Sequence, residues 1–267
     1  MRIGATQTLR LLLMQWLASG EAAQPSLKDI WLQYSEPHLL HRVLHYADHY
    51  QTHLPERGRD VKLFEIGVQS GGSARTWKQY YGKHLYYVGL DINPKTVRTR
   101  SKDENIFVEI GSQANASLLL DICKRHGPFD VVVDDGGHTP HLIAASLKAL
   151  FPSAECMATD SVYVVEDTCT MMGTWFTKNP ADMYGLAGEA WWSMHGRSCT
   201  QTPRRPCCIK PNLNYDGKGA QVHPTYGAFV TAVHLYESLM FIVRGVQKDA
   251  VLFKRGHDEI PYKRRRR

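Results

Sequence analysis

Between residues 26 and 53, apolar side chains recur at spacings that a helix can bury: Ile30, Leu32, Leu39, Leu40, Val43, Leu44 and Ala47. The spacing predicts a helical region over Ser26 to His53. After the polar turn Pro55-Glu56-Arg57-Gly58 the pattern changes. Short apolar runs predict strands at Val61–Ile66, Leu85–Ile92, Ile106–Ile110, Phe129–Val133 and Val162–Val165. Helical stretches at Ser73–Tyr81, Ala116–Arg125 and His141–Phe151 alternate with them. Glycines 67, 71 and 72, Pro94, Gly127-Pro128 and Pro152 supply the breaks. Strands alternating with helices predict a parallel sheet covered on both faces.

Two further runs, Ala228–Tyr236 and Leu239–Val243, are separated only by the turn at Glu237-Ser238. They are expected to pair antiparallel. The expected fold is therefore α/β: a Rossmann-like, doubly wound, seven-stranded sheet, mostly parallel, with an antiparallel C-terminal hairpin. The stretch from residue 168 to 227 has little regular pattern and carries Trp175, Trp191 and Trp192. It is expected to be a lid or insertion. Residues 26–255 would form one domain, a size one core can fill.

Composition sharpens this picture at three points. The chain is 43% hydrophobic and 22% charged, which excludes a largely disordered chain and a multi-span membrane protein. Net charge is +6, and the last five residues, Lys263 to Arg267, supply all but one unit of it. The basic pI thus reflects the tail, residues 256–267, rather than a basic face. That tail reads as a solvated terminus, with a nuclear or anionic-surface tag as the alternative. The six cysteines include no C-x-x-C pair, so a structural zinc site is not expected; Cys199, Cys207 and Cys208 cluster in one segment, as a disulfide or as free thiols. Near the start, Leu11 to Ala18 follows Arg2 and Arg10 and precedes small residues. Residues 1–25 are read either as a secretory leader or as a helix packed on the domain, leaving a cytoplasmic or a secretory location open. No run approaches the ~20 apolar residues of a membrane span.

Open parallel sheets bind ligands beyond the carboxyl ends of their strands. The first strand ends in Glu65-Ile66-Gly67-Val68-Gln69-Ser70-Gly71-Gly72, an E-x-G-x-x-x-G turn that lets backbone approach a ligand. Neither the dinucleotide G-x-G-x-x-G spacing nor a P-loop is present. Asp91 ends the second strand about 20 residues later, where an acid suits the two hydroxyls of a ribose. Gln113 follows the third strand within Gly111-Ser112-Gln113-Ala114-Asn115; these polar side chains could read a base edge or cap the next helix. The fourth strand leads into Asp134-Asp135-Gly136-Gly137-His138, and the fifth into Glu166-Asp167. Four carboxylates on one rim repel unless something compensates, and a divalent cation is the simplest compensation. A histidine beside them is a natural base near neutral pH. The histidines at 38, 41, 45, 49 and 53 read as exposed or hydrogen-bonded helix residues rather than a metal array.

These motifs together resemble the class I S-adenosylmethionine-dependent methyltransferases. More narrowly, they are similar to the Mg²⁺-dependent sugar and natural-product O-methyltransferases of the macrolide-sugar type, whose relatives include rhamnosyl O-methyltransferases and proteins labelled cephalosporin hydroxylase. The segment His45 to Tyr50 and the hairpin Val233 to Ile242 share the likeness. It covers about Leu39 to Gly173 and Gly227 to Val243. The resemblance implies that Glu65, Gly67 and Gly71 line the methionine part of S-adenosylmethionine, that Asp91 binds its ribose, and that Gln113 lies near adenine. It implies that Asp135, Glu166 and Asp167 hold Mg²⁺ and that His138 is the general base. Asp134 would face the cofactor or join the metal shell. The implied acceptor is a hydroxyl of a small molecule or glycoside.

Three other functions fit the sequence less well. An iron oxygenase would need two histidines and a carboxylate on one metal, and the H-x-[DE] pair occurs only at His257-Asp258-Glu259. A nucleic-acid methyltransferase would use the basic tail, but Asp134-Asp135-Gly136-Gly137 stands where base-methylating enzymes carry an acid- or amide-Pro-Pro-aromatic block; nucleic acid is not expected as a partner. A non-catalytic cofactor-binding module is disfavoured by the intact histidine and carboxylates. A homo-oligomer is compatible with the sequence.

Overall fold

The computed structural model describes residues 24–168 and 229–246. The leader or helix expected at the N-terminus, the tryptophan-bearing insertion, the 199–208 cysteines, His257 to Glu259 and the basic tail lie outside the described residues.

Among the described residues seven strands form one sheet: β1 (Val61–Ile66), β2 (Leu85–Asp91), β3 (Ile106–Ile110), β4 (Phe129–Asp134), β5 (Met157–Val165), β6 (Val230–Tyr236) and β7 (Leu239–Arg244). Their order is β3-β2-β1-β4-β5-β7-β6. The first five pair in parallel, and β7 lies antiparallel to both β5 and β6. The expected fold is observed, hairpin included. Among the described residues five α-helices accompany the sheet: α1 (Leu27–Leu32), α2 (Tyr46–His53), α3 (Gly72–Tyr81), α4 (Ala116–His126) and α5 (Pro140–Leu150).

The two-residue period of the strands divides the core into two faces. Phe64 and Ile66 of β1, Val132 of β4 and Tyr163 and Val165 of β5 pack with Leu119 and Ile122 of α4 and Ile143 and Leu147 of α5. Leu63, Val131, Val133 and Val164 point the other way, onto Tyr46 and Tyr50 of α2 and Ala74 and Trp77 of α3. Local signals set the helix starts. Ser26 and Asp29 form a capping box on α1, Asn115 caps α4 through the backbone N–H of Leu118, and Pro140 opens α5. Cys123 on α4 is disulfide-bonded to Cys156, just before β5, with Cα atoms 4.7 Å apart.

One expectation is corrected. The region Ser26 to His53 is not one helix. It is two short ones, α1 and α2, joined by residues 33–45 in an irregular course. Pro37 lacks a donor and pushes its predecessor out of the helical region, and polar Gln33 to Glu36 offers no face to bury. The joining segment instead lies across the carboxyl end of the sheet. The carbonyl of Leu39 comes so close to Gly72 that a Cβ there would stand 2.3 Å from it. Smaller shifts occur at strand ends: β5 begins at Met157 rather than Val162, through an irregular register against β4.

On the outer side of α2, His49 stacks on Tyr236 at 3.8 Å and His53 lies 4.3 Å from His234, with its Nε2 2.8 Å from the Tyr236 hydroxyl. Burial, then the adjacent His234 and His49, holds the His53 imidazole below its ordinary pKa. The unfolded chain takes up this proton near pH ~6.5, while the folded chain resists it. The corresponding stability is present above that value and is lost as the pH falls through the lower folded-state pKa. The melting temperature of His53→Gln is expected to fall less between about pH 8 and about pH 5 than that of the wild type. Parallel curves would contradict this role for His53.

Candidate active site

The segment 33–45 delivers Arg42 into the sheet end. Its side chain is 3% exposed. One terminal nitrogen, Nη1, donates to Asp135 Oδ2 at 2.9 Å and to Glu166 Oε2 at 2.5 Å. The other, Nη2, donates to Glu65 Oε1 and to the Ser73 hydroxyl. One guanidinium thus joins the carboxyl ends of β1, β4 and β5 and the first turn of α3. Tyrosines complete the cage. Tyr87 donates to Glu65 Oε2 at 2.5 Å, Tyr50 donates to Glu166 Oε1 at 2.5 Å, and the Tyr46 hydroxyl lies 2.9 Å from Asp167 Oδ1.

Strand parity explains which carboxylates meet. Glu65 and Glu166 continue the face of Leu63 and Val164, toward α2 and α3. Asp134 and Asp135 are adjacent, so they part. Asp135 joins the Arg42 cluster, and Asp134 turns to the α4–α5 face, where Tyr163 donates to it at 2.8 Å, Gln113 at 3.0 Å, and Ser146 also donates.

The cluster holds more acids than bases. Burial works against the Arg42 charge, but Glu166, Glu65 and Asp135 outweigh it and hold the guanidinium firmly protonated. Burial, then Glu166, pushes the Asp135 carboxyl well above the usual carboxylate range despite Arg42. Burial raises Glu166 as well, against the pull of Arg42 and the Tyr50 hydroxyl. Asp134 is raised by burial and partly restored by Ser146, Tyr163 and Gln113. Around the one guanidinium of Arg42 stand three carboxyl groups, Glu65, Asp135 and Glu166, with Asp167 beside them. Breaking buried ion pairs of this kind costs about 3–5 kcal/mol.

Beside the cluster opens a cleft of about 570 Å³, lined by Leu39, Arg42, Gly67 to Ser70, Asp91, Asp135, His138 and Asp167 among others. A neighbouring cavity of about 180 Å³ is lined by Ile92, Gly111, Ser112, Gln113, Gly137 and Leu142. Gly67, Asp91 and Gly136 border both. Asp91 is held there by three backbone donors: Val68 and Gln69 to Oδ2 and Asn93 to Oδ1, at 2.8–2.9 Å. Three non-glycine residues on the cleft, Gln69, His138 and Asp167, have left-handed backbones with φ of 50°, 48° and 53°. Such strain persists where surrounding structure enforces it, commonly at ligand sites.

Among the described residues, one group brings three possible metal-ligating atoms within 4.8 Å of one another: Asp135, His138 and Asp167. His138 Nε2 lies 3.9 Å from Asp135 Oδ1 and 3.9 Å from Asp167 Oδ2. Two carboxyl groups and an imidazole are donors that fit a divalent cation.

The sequence-predicted residues sort as follows. Gly67, Asp91, Asp135, His138, Glu166 and Asp167 line the main cleft, and Gln113 lines the smaller cavity. Glu65 is fully buried beneath Arg42 and Tyr87. Gly71, with φ of 85°, precedes α3 and sits against Thr99. Glu166 has its two oxygens on Arg42 and Tyr50 rather than in the close trio, and Asp134 lies beneath the site. Sequence reasoning missed Arg42, Ser73, Tyr46, Tyr50 and Tyr87. Tyr46 and Tyr50 sit one helical turn apart, a spacing that marks one face; Arg42 had no comparable signal.

This sheet order, with an antiparallel seventh strand and a polar rim at the parallel strand ends, is the class I methyltransferase fold. The comparisons agree. The chain is 29% identical over 245 residues to the demethylmacrocin O-methyltransferase of Streptomyces fradiae, covering 87% of this chain and 56% of that protein. It is 34% identical over 163 residues to the mycinamicin VI 2''-O-methyltransferase of Micromonospora griseorubida, covering 58% and 39%. The solved MycE methyltransferase of the mycinamycin biosynthetic pathway, in complex with Mg, SAH and mycinamycin VI, superposes with a TM-score of 0.65 at 23% identity, over 91% of this chain and 62% of that one. The chain therefore spans about half the length of the curated relatives it matches. No family model matches it. In sequence it is similar to macrolide-sugar O-methyltransferases, and its fold matches that of the MycE methyltransferase.

Gly67 is the tightest backbone contact of the site: its φ is 95°, and a Cβ would stand 2.0 Å from the carbonyl oxygen of Asp135. Gly67→Ala is expected to lose about 2–5 kcal/mol in chemical denaturation, through left-handed strain plus displacement of residues 135–138. Wild-type stability in that variant would contradict the packing described.

Proposed function

We propose that this protein transfers a methyl group from S-adenosylmethionine to a hydroxyl of a sugar-bearing small molecule, with His138 as general base and a divalent cation, Mg²⁺, held by Asp135 and Asp167. The observation that carries the reading is the meeting of two features at one set of strand ends. One is the pair of cavities that share Gly67 and Asp91; the other is the Asp135, His138 and Asp167 trio. The names of the relatives, and the Mg and SAH bound to the MycE methyltransferase, support it.

When bound, S-adenosylmethionine supplies an activated methyl group and the cation lowers the pKa of a nearby hydroxyl. The protein's own task is placement and proton transfer. Asp91, braced by the Val68 and Gln69 N–H groups, presents a fixed carboxylate at the junction of the two cavities, where a ribose would bridge them. Gln113 spans Asp134 and the Gly137 N–H, which it accepts at 2.7 Å, and so holds the loop that carries His138. His138 Nε2 faces the cleft between two carboxylates and is the atom assigned to take the acceptor proton. Those carboxylates offset the positive charge it gains. Alignment of the hydroxyl with the methyl group is what the rigid rim contributes. Glu65 and Glu166 act from below, through Arg42.

The test is turnover with a panel of glycosides. His138→Ala is expected to lower turnover by about 10²–10⁴-fold while S-adenosylhomocysteine still binds. Full activity in that variant would remove His138 from the mechanism.

We also infer an oxidising compartment, because the Cys123–Cys156 disulfide is of a kind that persists there. Among the described residues no helix is long and apolar enough to cross a membrane. Alkylation of the natively expressed protein in denaturant without reductant should leave Cys123 and Cys156 unmodified. Labelling of both thiols would overturn the inference.

A further inference from the structure

Asp167 has a left-handed backbone, with φ of 53°, although it is not a glycine. Such a conformation costs energy and persists where neighbours enforce it. The neighbours here are α2 and the β6–β7 turn. The Tyr46 hydroxyl lies 2.9 Å from Asp167 Oδ1, and the Asp167 N–H donates to that hydroxyl at 3.3 Å. The same hydroxyl lies 2.9 Å from the Ser238 carbonyl oxygen, which accepts from the Thr168 N–H at 3.0 Å. Tyr46 is fully buried, so packing of its ring fixes where the hydroxyl stands. Ser238 in the turn is left-handed as well, with φ of 60°.

We propose that Tyr46 is a positioning residue for the cation site: its hydroxyl fixes the Asp167 carboxyl group, and the β6–β7 turn holds that hydroxyl. The inference rests on the cation reading above and goes beyond it. A phenol has one proton to give, and Tyr46 has two acceptors at 2.9 Å. A carboxylate is the stronger acceptor because the bond is charge-assisted. The Ser238 carbonyl, in turn, already has the Thr168 N–H. The proton therefore goes to Asp167 Oδ1. Because the Asp167 N–H donates back to the same hydroxyl, the backbone and side chain of this residue are held from one point. Asp167 Oδ2 lies 3.9 Å from His138 Nε2, so a turn of the carboxyl group would disturb the cation's ligands and the base together. Hydrogen bonds on ligating carboxylates set their direction, and removing such a partner typically costs about 10–100-fold in metal affinity or activity. Among the described residues no member of the β6–β7 hairpin lines the cleft, and Tyr46 is how the hairpin reaches it.

The test is calorimetric titration of wild type and Tyr46→Phe, with MgCl₂ and MnCl₂ in one series and S-adenosylhomocysteine in another. Thermal melts of both proteins at rising cation concentration accompany it. Tyr46→Phe removes one oxygen and keeps the ring that packs in the core. The variant is expected to bind either cation about tenfold more weakly or worse, while its affinity for S-adenosylhomocysteine stays that of the wild type. Its melting temperature should respond to the cation only at correspondingly higher concentrations. A role confined to the fold would weaken both ligands together, since they share the cleft. Unchanged cation affinity in Tyr46→Phe overturns the inference and leaves the cation reading standing. Parallel loss of both affinities, or a variant that does not fold, assigns the hydroxyl to the fold and overturns the inference too. An absence of cation binding in the wild type overturns the cation reading, and the inference with it.

Discussion

A single guanidinium sits where three parallel strands end, and their carboxylates converge on it. Glu65, Asp135 and Glu166 come from β1, β4 and β5, and without Arg42 they would face one another in a buried space. Everything at this end of the sheet depends on that compensation. It ties the segment 33–45 to the sheet and fixes the first turn of α3 through Ser73. It also sets the direction in which Asp135 presents its remaining oxygen. The tyrosines of α2 extend the same logic: Tyr50 satisfies Glu166, and Tyr46 reaches Asp167 and the Ser238 carbonyl of the β6–β7 turn. The helix is thereby a brace between the hairpin and the rim.

Strand parity does the rest. Adjacent carboxylates at 134 and 135 go to opposite faces of the sheet and take different work. Asp134, with Gln113, Ser146 and Tyr163, forms a neutral-donor network that supports the loop from below, and Gln113 passes that support to the Gly137 N–H. Asp135 enters the charged cluster above. The close Gly67–Asp135 contact, which admits no side chain, presses the two loops together. A cleft and a smaller cavity then share Asp91 at their border, which suits a ligand with a sugar between two dissimilar ends.

Much of this was legible in the sequence. The seven strands, their alternation with helices and the late hairpin follow from short apolar runs between glycine and proline breaks. The rim residues Asp91, Asp135, His138, Glu166 and Asp167 follow from the rule that parallel sheets act at their carboxyl ends. Three things were not legible. Pro37 and the polar residues before it divide a stretch whose apolar spacing alone suits a helix. Arg42 is one of many basic residues, and only the chain's path over the sheet end distinguishes it. The Cys123–Cys156 pair bridges 33 residues, with no local spacing motif to mark it. The sequence reading named a divalent cation as the compensating charge and did not name the guanidinium of Arg42, which three of these carboxyl groups contact.

The account's central claim is that the paired cavities beside this rim bind an S-adenosyl ligand. The most direct measurement is calorimetric titration of the protein with S-adenosylhomocysteine, with and without Mg²⁺, alongside the Asp91→Ala variant. The account predicts saturable one-to-one binding that the variant loses. An absence of binding under both conditions would contradict it, and would leave the Arg42 cluster as a structural clamp beside a cleft of other purpose.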